Sequence, residues 1–571
     1  MIRLFFTVSI VTTATRILRP KYWPLMFMNW YRRRNAKIDY ALLNVPPQLP
    51  AMPEDRKWWQ RAVLGEPPLS LFDLERTLDK LADDRRVQGV VLYLRDLAMG
   101  TADLQTLREI LLRFRQKGKR VVCFAHSYDL RKYYVATAAD TIVVQRSNEF
   151  SFRPLGLGMQ VVFLRDALDA IGVQAEVVQI TPYKGAFDPL VRSEISPEIH
   201  EQLNWILDSQ YETFVNDIAV ARSMTPDAVR EMIDSAPMLE ADALNAGYID
   251  AVLNEEELPA LLQAEHLVPW DKAVKLLPRK VSRPTKRAIK VLPLAGIMLE
   301  GESRKPPSNM PVPVPLAREE TMGHLTVVQQ VRDLMADKRT AAVVLHIDTG
   351  GGMGSAAEAM TSALRELAQK VPVVVYMGNM AASGGYWLAT PAQWIVAQPG
   401  TYTGSIGVIV AKIVNAGLLK KLRFNAYEFT RGSNASLDSA AVPWTEDQRD
   451  IVRRDVEAHY AHFVDLVARS RHMTAEAVDA VAGGRVWTGA QALDHGLVDE
   501  LGGLDAAISK ARALAKLPDS VPVEIVAGKP KPLGPQLAER ADPAAGLRHV
   551  TRNLELVLDG SPKLLLPFWF E

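Results

Sequence analysis

The chain has 571 residues, 48% hydrophobic and 23% charged, with 67 basic side chains against 66 acidic ones. That composition belongs to a folded globular protein and excludes disordered, collagen-like and coiled-coil classes, and at ~150 residues per domain the length calls for roughly two to four domains. A net charge of +1 excludes a broad nucleic-acid-binding surface, and a single cysteine, Cys123, excludes an intramolecular disulfide and a thiolate metal site.

At the amino terminus, Leu4 to Ala14 is apolar but carries three threonines and a serine, and Arg16 ends it short of the roughly 20 residues a spanning helix needs. Its pattern is that of a signal-like apolar region. The aromatic stretch Tyr22 to Tyr31 follows, and then Arg32, Arg33 and Arg34. Aromatic rings beside a basic cluster suit a segment lying in a membrane interface, so residues 1–38 are expected to associate with a membrane surface.

The body of the chain repeats itself at a shift of 253 residues, for example from Gly89 to Ala342. At that shift Gly89–Leu94 falls on Ala342–Ile347, Val121–Phe124 on Val374–Met377, and Tyr133–Thr137 on Tyr386–Thr390. The first two pairs are short apolar runs, the pattern of strands buried on both faces. Between them lie Leu104–Arg115 and Ala356–Ala368, whose apolar residues recur every three or four positions and predict amphipathic helices. Strand, helix and strand of this length predict right-handed crossovers and mostly parallel sheets. Tyr40–Val45 and Ile289–Leu294 are expected to open the two copies, and helices over Pro197–Ala221 and Thr445–Arg469 to close them. The basic, proline-rich stretch from Lys272 to Lys290 reads as a linker. Expected boundaries are therefore 39–265 and 289–515 for the two repeats, 266–288 for the linker, and 516–571 for an extension ending in a docked apolar tail, Leu564–Phe570.

Chemistry is expected where the copies differ. The second copy follows its strand with Asp348-Thr349-Gly350-Gly351-Gly352-Met353-Gly354-Ser355, whereas the first has Leu97-Ala98-Met99 against the three leading glycines. A glycine run between strand and helix lets backbone N–H groups face an anion, a phosphate or the oxyanion of acyl transfer. It lacks the Lys-Ser/Thr of a phosphate-binding loop and misses the dinucleotide spacing, so no cofactor is expected from it.

Further on, the second copy reads Ala381-Ala382-Ser383-Gly384-Gly385, with Leu130 opposite the serine and Arg131-Lys132 opposite the glycines. Small residues flanking a serine at a strand-to-helix turn leave its hydroxyl approachable, which favours a nucleophile over a helix cap. A nucleophile needs a base. None of the ten histidines is well placed: His346 has no orienting partner beyond Asp348, and His459 and His462 share a helical face without third ligands, so no metal is expected. Lys184 lies in the otherwise uncharged stretch Ile180–Phe187 and is either a surface lysine or a buried, neutral base. The most similar stretch of the second copy has Arg431, which cannot be a base. A base in one repeat and a nucleophile in the other point to a shared site.

These residues resemble a known family, the long tandem-domain form of signal peptide peptidase A, also called protease IV, over about residues 40 to 515. The motifs that carry the resemblance are Ala382-Ser383-Gly384-Gly385-Tyr386, Thr403-Gly404-Ser405-Ile406-Gly407 and Tyr183-Lys184. The resemblance implies Ser383 as nucleophile, Lys184 as general base, Ser405 bonded to the lysine amine, and the Gly351 and Gly384 N–H groups as oxyanion hole. It further implies a tandem repeat of crotonase-like (ClpP-like) α/β domains and a homotetramer at the outer face of the bacterial cytoplasmic membrane. The substrates it implies are hydrophobic signal peptides. Gly350 stands where that family usually has proline. Two other functions fit the same fold, an acyl-CoA enzyme using the oxyanion hole for an enolate and a catalytically inactive membrane scaffold.

Overall fold

The computed structural model describes residues 37–526 apart from 55, 57–60, 63–64, 279–285 and 305–319, together with 563–565. The two amino-terminal apolar segments lie outside the described residues.

The first half supplies β1 (Tyr40–Val45), β2 (Gly89–Leu94), β3 (Arg120–Ala125), β4 (Tyr128–Asp129), β5 (Thr141–Gln145), β6 (Phe152–Arg153), β7 (Gln174–Gln179), β8 (Ala251–Leu253) and β9 (Leu267–Pro269). Six of them form an all-parallel sheet in the order β8-β5-β3-β2-β1-β9. Helices α1 (Leu71–Ala82), α2 (Thr101–Gln116), α3 (Leu130–Ala136) and α4 (Pro197–Arg222) pack around it. The caps are written locally: Ser70 accepts from the Asp73 N–H to start α1, and Ser196 accepts from Ile199 to start α4, with Pro197 in its first turn.

The second half supplies β10 (Ala288–Ala295), β11 (Ile297–Leu299), β12 (Thr321–Gly323), β13 (Thr340–Thr349), β14 (Gly351–Met353), β15 (Val373–Ala382), β16 (Trp394–Ala397), β17 (Tyr402–Gly404), β18 (Ile409–Val414), β19 (Val486–Thr488), β20 (Glu500–Leu501), β21 (Val523–Ile525) and β22 (Lys563–Leu565). Its helices include α5 (Gly354–Ala368), α6 (Gly384–Ala389) and α7 (Glu446–Arg471), the last opened by a Thr445–Gln448 capping box. The main sheet runs β19-β17-β15-β13-β10-β21, with β16 and β20 on a side branch, and is parallel except at β17–β19. The 253-residue shift lays β2 on β13, β3 on β15 and β5 on β16, so the chain is a tandem repeat of one α/β unit.

One stretch differs from its sequence reading. Part of the expected linker 266–288 is structured: Leu267–Pro269 pairs in parallel with Tyr40–Leu42, and a helix over Trp270–Leu276 follows, because a short apolar run here supplies β1 with its edge partner. The 516–571 extension returns to the second repeat, placing β21 beside β10 and β22 against β14 and β18.

The halves are not separate beads. β7 of the first pairs antiparallel with all six residues of β18 of the second. The α4 helix seals the edge of β19: Gln202 Oε1 accepts from the Val486 N–H at 2.8 Å, Trp205 Nε1 donates to the Val486 carbonyl at 2.9 Å, and Ser209 and Thr488 share a hydroxyl hydrogen bond of 2.7 Å. Spacing of three and four residues puts these side chains on one helical face. Their effect is to place the first repeat's loops over the second repeat's strand ends.

Candidate active site

Ser383 stands between β15 and α6 with φ 56° and ψ −113°, a conformation that favours glycine and costs a serine about 1–3 kcal/mol. Its side chain caps no helix N–H; its own N–H donates to the Gly404 carbonyl at 2.8 Å. The neighbouring glycines are needed for space. A Cβ on Gly384 would lie 2.9 Å from Met298 Sδ and 3.2 Å from Gly351 Cα, and one on Gly385 would lie 2.8 Å from the Thr349 carbonyl oxygen. At the matching place in the first repeat, Asp129 caps α3 by accepting from the Lys132 N–H, and Leu130 and Lys132 are buried. That turn is an ordinary helix start with no nucleophile, whereas Ser383 sits fully buried against Lys184.

Lys184 comes from the loop after β7. Its Nζ lies 2.6 Å from Ser383 Oγ, 2.8 Å from the Ser405 carbonyl and 2.9 Å from Ser405 Oγ. The side chain is fully buried, and burial holds its amine well below the ordinary lysine range. A neutral amine has two N–H donors and one lone pair, which matches three contacts: it donates twice to Ser405 and accepts from the Ser383 hydroxyl. The pocket is closed by backbone. A Cβ on Gly484 would fall 2.6 Å from Lys184 Cβ, and one on Gly407 would fall 3.2 Å from Lys184 Cδ. Ser405, at φ 49°, is tied down by donating its N–H to the Arg485 carbonyl. The Trp205 and Trp487 rings stack 4.8 Å apart across the repeats, and Ile206 of α4 clusters with Ala382 and Val486.

Gly351 and Gly384 abut, as an oxyanion hole requires, but the Gly351 N–H here donates to Thr349 Oγ1 at 3.0 Å while that hydroxyl donates to the Gly296 carbonyl. Gly351 also begins β14, whose residues Gly351, Gly352 and Met353 pair antiparallel with Leu565, Leu564 and Lys563 of β22. An extended chain segment therefore lies along the strand next to the serine, between β14 and β18.

The other sequence candidates lie apart from this cluster. Both ring nitrogens of His346 are without a hydrogen-bond partner among the described residues, its ring packs on Tyr376, and burial lowers its pKa to about 4. His459 pairs with Asp455 and His462 with Glu358. Arg431 is exposed, and Cys123 is buried with its thiol pushed far up by desolvation. Sequence reasoning missed Thr349, Gly484 and the α4 face; the adjacent glycines Gly483-Gly484 were the one local signal. It also missed Asp103 of α2, which is buried against Asn379 of β15, and whose carboxyl desolvation pushes up to about 6.

Comparison with known proteins gives a consistent result. The model of peptidase family S49 matches residues 113–268 and 365–518, once in each repeat. The chain is 31% identical over 468 residues to the chloroplastic serine protease SPPA of Arabidopsis thaliana, covering 80% of this chain and 68% of that one. It is 30% identical over 470 residues to Protease 4 of Salmonella typhi, covering 78% and 72%, and 28% identical over 504 residues to Protease 4 of Haemophilus influenzae, covering 83% and 78%.

Proposed function

The chain belongs to peptidase family S49 and is a serine peptidase, and we propose that it cuts extended apolar peptides, released signal peptides among them, with Ser383 as nucleophile and Lys184 as general base. The observation that carries this reading is the 2.6 Å contact between a wholly buried amine on one repeat and a serine hydroxyl on the other.

The neutral Lys184 amine takes the Ser383 proton as Oγ attacks the scissile carbonyl carbon. The carbonyl electron pair moves onto oxygen, where the Gly384 N–H and the Gly351 N–H, released from Thr349, stabilise it. Collapse of this intermediate expels the amine, which takes the proton back from Lys184 and leaves an acyl-enzyme on Ser383. Water, deprotonated by the same lysine, then frees the acid. Ser405 aims the lone pair at Ser383 by accepting the amine's two N–H bonds. The pairing of Lys563–Leu565 with β14 supports a substrate held as an added antiparallel strand, and Met298 beside Gly384 supplies an apolar wall.

The chain is further read as a homotetramer attached to the outer face of the bacterial cytoplasmic membrane. The attachment rests on the aromatic stretch Tyr22–Tyr31 and the arginines after it; among the described residues no helix is long and apolar enough to cross a membrane. The assembly rests on the resemblance to the tandem-domain family; Phe150, Leu155 and Val162 of the first repeat and Phe424, Tyr427 and Phe429 of the second are exposed apolar side chains open to a second copy.

A peptidase assay of wild type beside Ser383→Ala, with a serine-reactive phosphonate as label, tests the reading. The variant is expected to take no label and to lose activity on the order of 10⁶-fold. Activity within about tenfold of wild type would overturn the assignment.

A further inference from the structure

The strand that delivers Ser383 is irregular just before it arrives. In the β13–β15 ladder, Ile347 faces Met377 and Thr349 faces Ala381, so two steps along β13 are matched by four along β15. Gly378, Asn379 and Met380 form this bulge. Such bulges re-aim the residues that follow them, and here those are Ala381, Ala382 and Ser383. Met380 keeps a ladder partner only in β17, opposite Tyr402, and Gly378 and Asn379 have none in either ladder, so contacts outside the ladders must select their conformation.

Three contacts do so. The Met380 N–H donates to Asp348 Oδ1 at 3.1 Å, and Thr401 Oγ1 donates to the Gly378 carbonyl at 2.8 Å, both within the second repeat. The third crosses from the first repeat. Asn379 Nδ2 donates to Asp103 Oδ2 at 2.6 Å, and the Asp103 backbone N–H, in the first turn of α2, donates back to Asn379 Oδ1 at 3.2 Å. The fit is close: a Cβ on Gly100, the residue before α2, would fall 2.1 Å from Asn379 Oδ1. The same helix also reaches the loop that leads to Ser405, with Gln105 Oε1 accepting from the Gly400 N–H at 2.8 Å.

We propose that Asp103 is a positioning residue for the nucleophile: by clamping Asn379 it fixes the bulge that sets Ser383 in register with Lys184 and Gly351. The inference rests on the reading of Ser383 and Lys184 as the catalytic pair. It gives the first repeat a second role, since it then supplies the base and also holds the nucleophile's strand. An ionised carboxylate suits the task because a charge-assisted hydrogen bond is short and directional.

A charge exchange tests it. Asn379→Asp places a half-buried carboxylate face to face with the buried one of Asp103, and kcat is expected to fall about 100-fold with KM within about twofold, the loss that a misplacement near 1 Å produces. The double variant, Asp103→Asn with Asn379→Asp, restores one carboxylate and one amide with sides exchanged, because the carboxylate then at position 379 accepts from both the side-chain amide and the backbone N–H of position 103. Its kcat is expected within about tenfold of wild type. Each kcat is taken per site titrated with a fluorophosphonate, beside a melting temperature, so that lost enzyme is separated from slowed enzyme. Asp103→Ala serves if Asn379→Asp does not fold, with the same drop in kcat expected. Wild-type kcat per titrated site in Asp103→Ala or Asn379→Asp, or a double variant no faster than Asn379→Asp, overturns the proposal. If instead Ser383→Ala and Lys184→Met retain activity, the catalytic pair itself is wrong, which the Asp103 series alone does not show.

Discussion

Replacing His346 with leucine removes a group whose protonation the fold opposes. The ring is 3% exposed, both nitrogens lack partners among the described residues, and desolvation lowers its pKa from about 6.5 to about 4. The unfolded chain therefore binds the proton more readily than the folded one, so the stability this residue permits is full above pH 6.5 and is lost as pH falls toward 4. Linkage between those two pKa values gives a loss of about 2 kcal/mol at pH 5 and about 3 kcal/mol at pH 4 relative to an uncharged side chain. The assay is urea unfolding of wild type and His346→Leu between pH 7.5 and 4.5, read as the difference between the two proteins at each pH. Differencing cancels the other titrations, including Asp103 and Glu75, whose raised pKa values act in the opposite sense. The difference should widen by about 2 kcal/mol between pH 7.5 and 5, with peptidase activity at neutral pH within about threefold of wild type. Parallel curves would refute the burial argument, and an inactive variant would reinstate a histidine base.

Because Lys184 must be unprotonated to act, kcat/KM should fall as pH drops through an apparent pKa well below that of a free lysine, and Lys184→Arg should be as inactive as Lys184→Ala, since a guanidinium keeps its proton; an active arginine variant would contradict the role. Gly484→Ala, at φ +88° and with its Cβ 2.6 Å from Lys184 Cβ, should lower kcat/KM by about 100-fold while circular dichroism stays native, and a variant within about threefold of wild type would show that the pocket has slack. Ending the chain at Ser561 removes β22 from β14 and should lower KM for a peptide substrate with kcat unchanged; an unaltered KM would show that the tail and the substrate do not compete for that strand.

Much of this protein is written locally. Strands buried on both faces are apolar at nearly every position, so Gly89–Leu94 and Ala342–Ile347, the latter broken only by His346, stand out as runs, and their common spacing from later runs discloses the repeat. The serine between Ala-Ala and Gly-Gly is legible for the same kind of reason, because a crowded turn admits nothing larger. The start of β9 at Leu267 was not legible: three residues beside a basic, proline-rich stretch carry too little pattern to outweigh it. What depended on tertiary structure was every property that comes from one repeat meeting the other. Lys184 in sequence is equally a surface lysine or a buried base, and only its enclosure by Ser405, Gly407 and Gly484 more than 200 residues away removes the water that would keep it charged. The helical pattern over Leu104–Arg115 gives no sign of what the polar residues of α2 meet, yet Asp103, Gln105 and Thr106 are buried against Asn379, Gly400 and Tyr376 of the second repeat. Periodicity records which side of an element is apolar; it does not record what the polar side will touch, since a hydrogen bond between residues 276 positions apart leaves no trace in the local pattern of either.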